Sequence, residues 1–170
     1  MKKFLVFTAA ILTTVGVFAQ GNPTASASAT ASANIVQPLE IVKTADLAFG
    51  NIASGTSEGT VEIFIDGSRT ATGGVTLIEA GNVSNAASFD ITGLADASFT
   101  VEVPVSIVIE TAGGVDQMTV DNFYSSLNSD NSFLDANGEA NLQVGAILNV
   151  AAQQAAGLYS GSFDVIVAYN

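Results

Sequence analysis

The run Phe99-Thr100-Val101-Glu102-Val103-Pro104-Val105-Ser106-Ile107-Val108-Ile109-Glu110 sets Phe99, Val101, Val103, Val105, Ile107 and Ile109 on one face of an extended chain. Thr100, Glu102, Ser106 and Glu110 fall on the other face. A helix would scatter those six apolar residues around its circumference, whereas a strand points successive side chains to opposite faces. Pro104 lies on the polar face and has no N–H to give to a ladder. The run therefore reads as an edge strand or as two strands meeting at a bend.

The same period of two recurs on either side of it. Leu142, Val144, Ala146, Leu148 and Val150 form a second stripe. Near the C-terminus, Tyr159, Phe163, Val165, Val167 and Tyr169 form a third, opposite Ser160, Ser162, Asp164, Ile166 and Ala168. Shorter strands are expected at 35–42, 46–52, 60–65, 74–78, 88–92 and 117–123. Turns are expected at Asp66-Gly67, Gly73-Gly74, Gly81-Asn82, Gly113-Gly114 and Asn137-Gly138, because these dipeptides accept positive φ. The one helix-like piece, 151–156, is too short to hold as a helix. Many short strands separated by turn signals predict an all-β fold, an immunoglobulin-like antiparallel β-sandwich over 34–170.

Upstream of that domain, Met1-Lys2-Lys3 and the apolar run to Phe18, closed by Val17-Phe18-Ala19, have the form of a signal peptide over 1–19. Gln20 rather than Cys follows, so a lipid anchor is not expected, and the run is too short for a membrane span. Residues 20–33 (QGNPTASASATASA) form an extension of small residues with too little apolar bulk for a core. Past residue 19 the chain keeps only Lys43 and Arg69 against 16 acids. Nucleic acid and anionic lipid surfaces are therefore not expected partners, since both need clustered Lys and Arg. The absence of Cys leaves the fold to packing alone, although an exported chain is free to use disulfides.

The chemistry of most active sites is missing. There is no His and no Cys, so the usual bases, nucleophiles and zinc ligands are lacking, and no cofactor or metal is expected. Gly55-Thr56-Ser57-Glu58-Gly59 fits the G-x-S-x-G pattern of hydrolase elbows, but no His is available to take the Ser57 proton, and it reads as a Gly-rich loop. Paired carboxylates would suit a glycosidase, yet the chain has no Trp and only three Tyr to stack on a sugar. Residues 130–139 (DNSFLDANGE) gather oxygen ligands without the EF-hand spacing, which leaves a calcium loop and a plain polar loop both open.

What remains is the two ends. Gly157 stands fourteenth from the C-terminus, alternating apolar residues follow, and Tyr169 is penultimate. Gly157, Tyr159, Phe163, Val165, Val167 and Tyr169 together resemble the C-terminal motif of chaperone-usher fimbrial subunits. That resemblance implies a last strand that borders a groove. A periplasmic chaperone fills the groove first, an outer-membrane usher hands the subunit on, and the N-terminal extension of the next subunit then completes the fold. The corresponding donor positions are Ala29, Ala31, Ala33 and Ile35, which share one face of an extended chain. Burying an alanine methyl yields about 0.8 kcal/mol against roughly 1.5–3 for a large aliphatic, so main-chain hydrogen bonds must do much of the holding. Residues 20–36 also read as a spacer or as a strand of the same domain.

A second resemblance is carried by the alanines at 25–33 leading into Ile35, Pro38-Leu39-Glu40-Ile41, Lys43-Thr44-Ala45-Asp46-Leu47-Ala48-Phe49-Gly50, Arg69-Thr70-Ala71-Thr72-Gly73-Gly74-Val75 and the tail 142–169. On these residues the chain resembles a family of exported bacterial domains of unknown function.

Together these readings predict a non-enzymatic structural subunit of a fimbria-like or other extracellular polymer. It would be exported through the periplasm, partnered by copies of itself or related subunits, and not inserted in a membrane. The alternative is a monomeric recognition module binding glycans or an envelope protein through Phe123, Tyr124 and Phe133.

Overall fold

The computed structural model describes residues 24–81 and 84–170. The signal segment 1–19, residues 20–23 of the extension and Asn82 of the Gly81-Asn82 turn lie outside the described residues. The described chain is all-β, with β1 (Glu40–Ala45), β2 (Asn51–Ile63), β3 (Arg69–Ile78), β4 (Ala87–Thr92), β5 (Ser98–Glu102), β6 (Ser106–Thr111), β7 (Gln117–Ser125), β8 (Ser132–Phe133), β9 (Glu139–Val150), β10 (Tyr159–Ser160) and β11 (Ile166–Tyr169). Every pairing is antiparallel. Eight strands form one sheet, in the order β1-β4-β9-β7-β6-β10 with β2 joining β9 and β3 joining β2. The second sheet has three strands, β11-β5-β8.

Strand β9 is the spine of the larger sheet. Its first half pairs with β4, from Glu139 opposite Thr92 to Val144 opposite Ala87. Its second half pairs on the same edge with β2, from Ala146 opposite Ile63 to Val150 opposite Gly59. The other edge carries β7. Gly145 sits where the partners change, and a side chain there would run into the Ile63 carbonyl and the Tyr124 ring. The predicted stripe Leu142, Val144, Ala146, Leu148 and Val150 is buried throughout.

Two core clusters lie along this spine. The first joins Phe89, Ile91, Leu142 and Val144 of the large sheet to Phe99 and Val101 of β5 and to Leu134, so it is sandwiched between the sheets. The second is built from Val61, Met118, Val120, Ala146, Leu148 and Val150, all of them large-sheet residues.

The 99–110 run takes the bent alternative: β5 and β6 belong to different sheets, and the chain turns between them at Pro104. Ile107 and Ile109 face inward again beyond the turn, packed on the second core cluster, but Val105, at the turn itself and expected on the core face, is 87% exposed. Other boundaries need correction. The strand expected at 35–42 begins only at Glu40, where the ladder with β4 ends opposite Thr92. Residues 46–50 join no ladder, and their bridge, Ala48 with Asn85, is an isolated one outside the strands. Gly73-Gly74 is not a turn, and residues 55–59 are not a loop between strands. Both lie inside the β2–β3 ladder, where the register jumps from Ser54 opposite Val75 to Gly59 opposite Gly73. Gly73 adopts φ 64° with its backbone against Glu58, which a side chain would prevent.

Leu142→Ala should destabilise the domain by about 2–5 kcal/mol, because it opens a cavity where β4, β5 and β9 converge. Val108→Ala, on the exposed face of β6, should change stability by no more than about 0.5 kcal/mol. Denaturant unfolding of the two variants measures both.

Candidate functional site

The three-stranded sheet covers only the first core cluster. No residue of β5, β8 or β11 packs on the second, whose partial cover comes from Leu47, Phe49, Ile52, Ile107, Ile109 and Tyr159 among others. A cleft of about 610 Å³ opens there. Its floor is apolar, formed by Phe89, Ile107, Ile109, Met118, Val120 and Leu148. One wall is the stretch 46–52, between β1 and β2, and the other is 157–163, around β10. Lys43 and Asp46, paired with each other and both exposed, stand at the rim.

Each wall is held from behind. Ala48 exchanges backbone hydrogen bonds with Asn85 at 2.8 and 2.9 Å. Arg69, whose side chain is only 6% exposed, donates to the carbonyls of Phe49 (2.9 Å), Asn51 (3.3 Å) and Ile78 (2.9 Å) and to Glu79 Oε1 (3.2 Å). A rigid fork of donors suits this better than an ammonium, since three carbonyls lie around one head group. On the opposite wall, the Tyr159 hydroxyl donates to the Ala155 carbonyl (2.8 Å) and accepts from Gln154 Nε2 (2.9 Å). Strand β10 pairs with β6 on one side and ends the sheet on the other. Among the described residues, 161–165 belong to no ladder and make no backbone–backbone hydrogen bond.

The C-terminal residues singled out from the sequence are thus divided between two surroundings. Gly157, Tyr159 and Phe163 line the cleft, and Phe163 also packs against Phe123 with ring centroids 5.0 Å apart. Val165, Val167 and Tyr169 do not line it. The chain crosses from the large sheet to the small one between Ser160 and Ile166, so Val167 pairs with Val101, Tyr169 pairs with Phe99, and all three pack on the first core cluster. The Tyr169 hydroxyl accepts from the Leu94 amide (2.7 Å) and donates to the Gln37 carbonyl (3.1 Å). Ala29, Ala31, Ala33 and Ile35 form no strand and are exposed, Ile35 at 96%. Within the domain itself, none of residues 35–42 lines the cleft.

The sequence missed the wall 46–52 and its Arg69 staple as parts of a site. The apolar alternation of Leu47 and Phe49 was legible, but it resembles any strand's, and a lone Arg does not announce which carbonyls it holds.

The aromatic trio does not form one exposed cluster. Phe123 is packed against both cores, and Tyr124 donates to Glu62 Oε1 (3.2 Å) and the Ile63 carbonyl (3.1 Å). Of the three only Phe133, 59% exposed, faces outward. In the polar loop, Asp135 Oδ1 accepts from the amides of Asn137 and Glu139, each at 2.8 Å. These bonds, that from Glu139 first, hold the Asp135 carboxyl below its usual range. The carboxylate thus caps the turn, and among the described residues no three acids gather as a metal site would require. Ser57 sits exposed in the β2 bulge.

A family model described as "Domain of unknown function (DUF4402)" matches residues 39–169. The alanines at 25–33, taken above as part of the resemblance, fall outside that match. No curated protein and no solved structure matches the chain.

Two outcomes follow, one for the Arg69 brace and one for Tyr124 where it meets Glu62 and Ile63. Arg69→Lys should cost about 1.5–3 kcal/mol, because the fork leaves carbonyl partners unmet, and should raise hydrogen exchange at 49–51. Burial, aided by the Glu62 carboxylate, pushes the Tyr124 phenol up to about 12. Folding therefore binds that proton more tightly than the unfolded chain does, so the contribution is intact below pH 10 and disappears as pH rises toward 12. Phenolate absorbance titration should show a late step that Tyr124→Phe removes.

Proposed function

This chain belongs to the family described as Domain of unknown function (DUF4402), and we propose that it is a non-enzymatic structural subunit of a fimbria-like or other extracellular polymer, assembled by β-strand donation from copy to copy. In this reading residues 29–35 of one copy enter the cleft of the next. Ile35 is the large apolar anchor, while Ala29, Ala31 and Ala33 fill the rest.

The observation that carries the reading is the half-roofed core. A two-layer fold normally buries both faces of its core between layers, and here the second layer stops short, with a wall of unpaired main chain beside an apolar floor. The dimensions suit a strand. Each wall is seven residues long (46–52 and 157–163), as is the segment 29–35, and seven extended residues span about 23 Å.

Charge supports the same occupant. The domain is strongly acidic, whereas residues 20–39 carry no charged side chain, so this segment approaches an acidic neighbour without repulsion. The reading places the chain on the export route through the periplasm. A chaperone would shield the cleft until an outer-membrane usher brings the next subunit.

The test is assembly of the mature chain, scored by electron microscopy and light scattering. Ile35→Asp forfeits about 1.5–3 kcal/mol of burial per junction and should weaken each contact by roughly ten- to a hundredfold, abolishing filaments. The melting temperature of the free subunit should not move, because Ile35 is exposed there. Filaments that persist after removal of residues 20–36 would overturn the proposal.

A further inference from the structure

We infer that Tyr169 is a positioning residue that makes this donation intermolecular, by tying down the root of the extension so that a subunit's own Ile35 cannot reach its own cleft. The inference rests on the strand-donation reading above and adds to it a choice between filling in trans and filling in cis.

Strand β1 starts at Glu40, opposite Thr92, and the extension leaves the domain at that end. There the Tyr169 hydroxyl bridges the Leu94 amide at 2.7 Å and the Gln37 carbonyl at 3.1 Å. The hydroxyl is seated over Gly93, together with Leu39 and Leu134: a side chain on Gly93 would meet all three. Gln37 is therefore fixed three residues before β1 begins. The cleft lies toward the other end of the strand, starting at Lys43 and running along 46–52.

Chain length then decides the outcome. Glu40 to Lys43 spans about 10 Å of β1, and Gln37 is held beyond Glu40, beside Leu94. Lys43 therefore lies more than about 10 Å and at most about 20 Å from Gln37, whereas Ile35 is two residues from Gln37 and reaches about 7 Å. With Gln37 held, a subunit cannot place its own anchor in its own cleft, and a neighbour's extension has no such limit. With Gln37 released, the tether runs from Glu40 instead. Ile35 is five residues from that point, a reach of about 17 Å, and Lys43 is only three, about 10 Å, so self-filling becomes geometrically open. The hydroxyl, and not the ring, separates the two regimes. Self-filled subunits would be dead ends for a polymer.

The absence of Cys from the chain makes the choice measurable. In the full mature protein, Ser162→Cys on the wall is combined with Ser32→Cys or, separately, Asn34→Cys, both on the face of the extension opposite the alanines. Disulfides formed under a mild oxidant are read by non-reducing electrophoresis and mass as between chains or within one. With Tyr169 present the bonds should be between chains. Tyr169→Phe, which keeps the ring, should raise the within-chain fraction about fivefold, the factor one net hydrogen bond supplies. Three glycines inserted between Val36 and Gln37 should raise it as well, with the Tyr169 bridge intact. Bonds that remain between chains in both variants would overturn the role of Tyr169 while upholding strand donation. Failure to form either kind of disulfide in any variant would overturn strand donation and this inference with it.

Discussion

The pairing of β9 along both of its edges is the constraint on which the rest of the molecule depends. One strand serves β4 and then β2 on one side and β7 on the other, and the change of partner needs the bare backbone of Gly145. That arrangement makes the large sheet long. The small sheet, whose register is set by β5 pairing with β11 and β8, is short. The mismatch leaves the second core cluster without a sheet above it, and the cleft is its consequence rather than a separate feature.

What the sequence made legible follows from how local each signal is. The stripe 142–150 reads without ambiguity because the strand is buried on one face for its whole length, and a period of two survives wherever pairing is continuous. Pro104 marked the bend between β5 and β6, since a residue without an N–H must fall at an edge or a break. Signals that depend on a distant partner were not legible. Residues 35–39 have the alternation of a strand, but among the described residues they join no ladder once β4 ends at Thr92. Gly73-Gly74 has the composition of a turn, yet faces a bulge in β2 that only the register reveals.

The candidate site divides along the same line. The alternation of Tyr159, Phe163, Val165, Val167 and Tyr169 is present, each half-buried with exposed residues between them. One uninterrupted phase nevertheless conceals a change of sheet, because moving from one layer to the other need not shift the face that points inward. Gly157, Tyr159 and Phe163 therefore border open space, while Val165, Val167 and Tyr169 close the first core. The opposite wall lies about a hundred residues earlier in the chain, and nothing local links the two. Arg69 shows the limit most clearly: its value lies in three carbonyls of the 49–51 and 78 backbone, groups that every residue possesses.

In the strand-donation reading, the small side chains of the extension answer a problem that bulky ones would create. An exposed segment of alternating large aliphatics with no charge is the pattern that pairs indiscriminately with sheet edges. Replacing all but Ile35 with alanine keeps the period while removing most of the apolar area that would drive non-specific association. The cost is a weaker grip per residue, offset by the main-chain bonds that the wall at 161–163 still has to offer. Those bonds require a strand of the right length lying in the right register, whereas apolar area rewards any contact. Selectivity in such a junction therefore comes from the backbone, with Ile35 fixing the register.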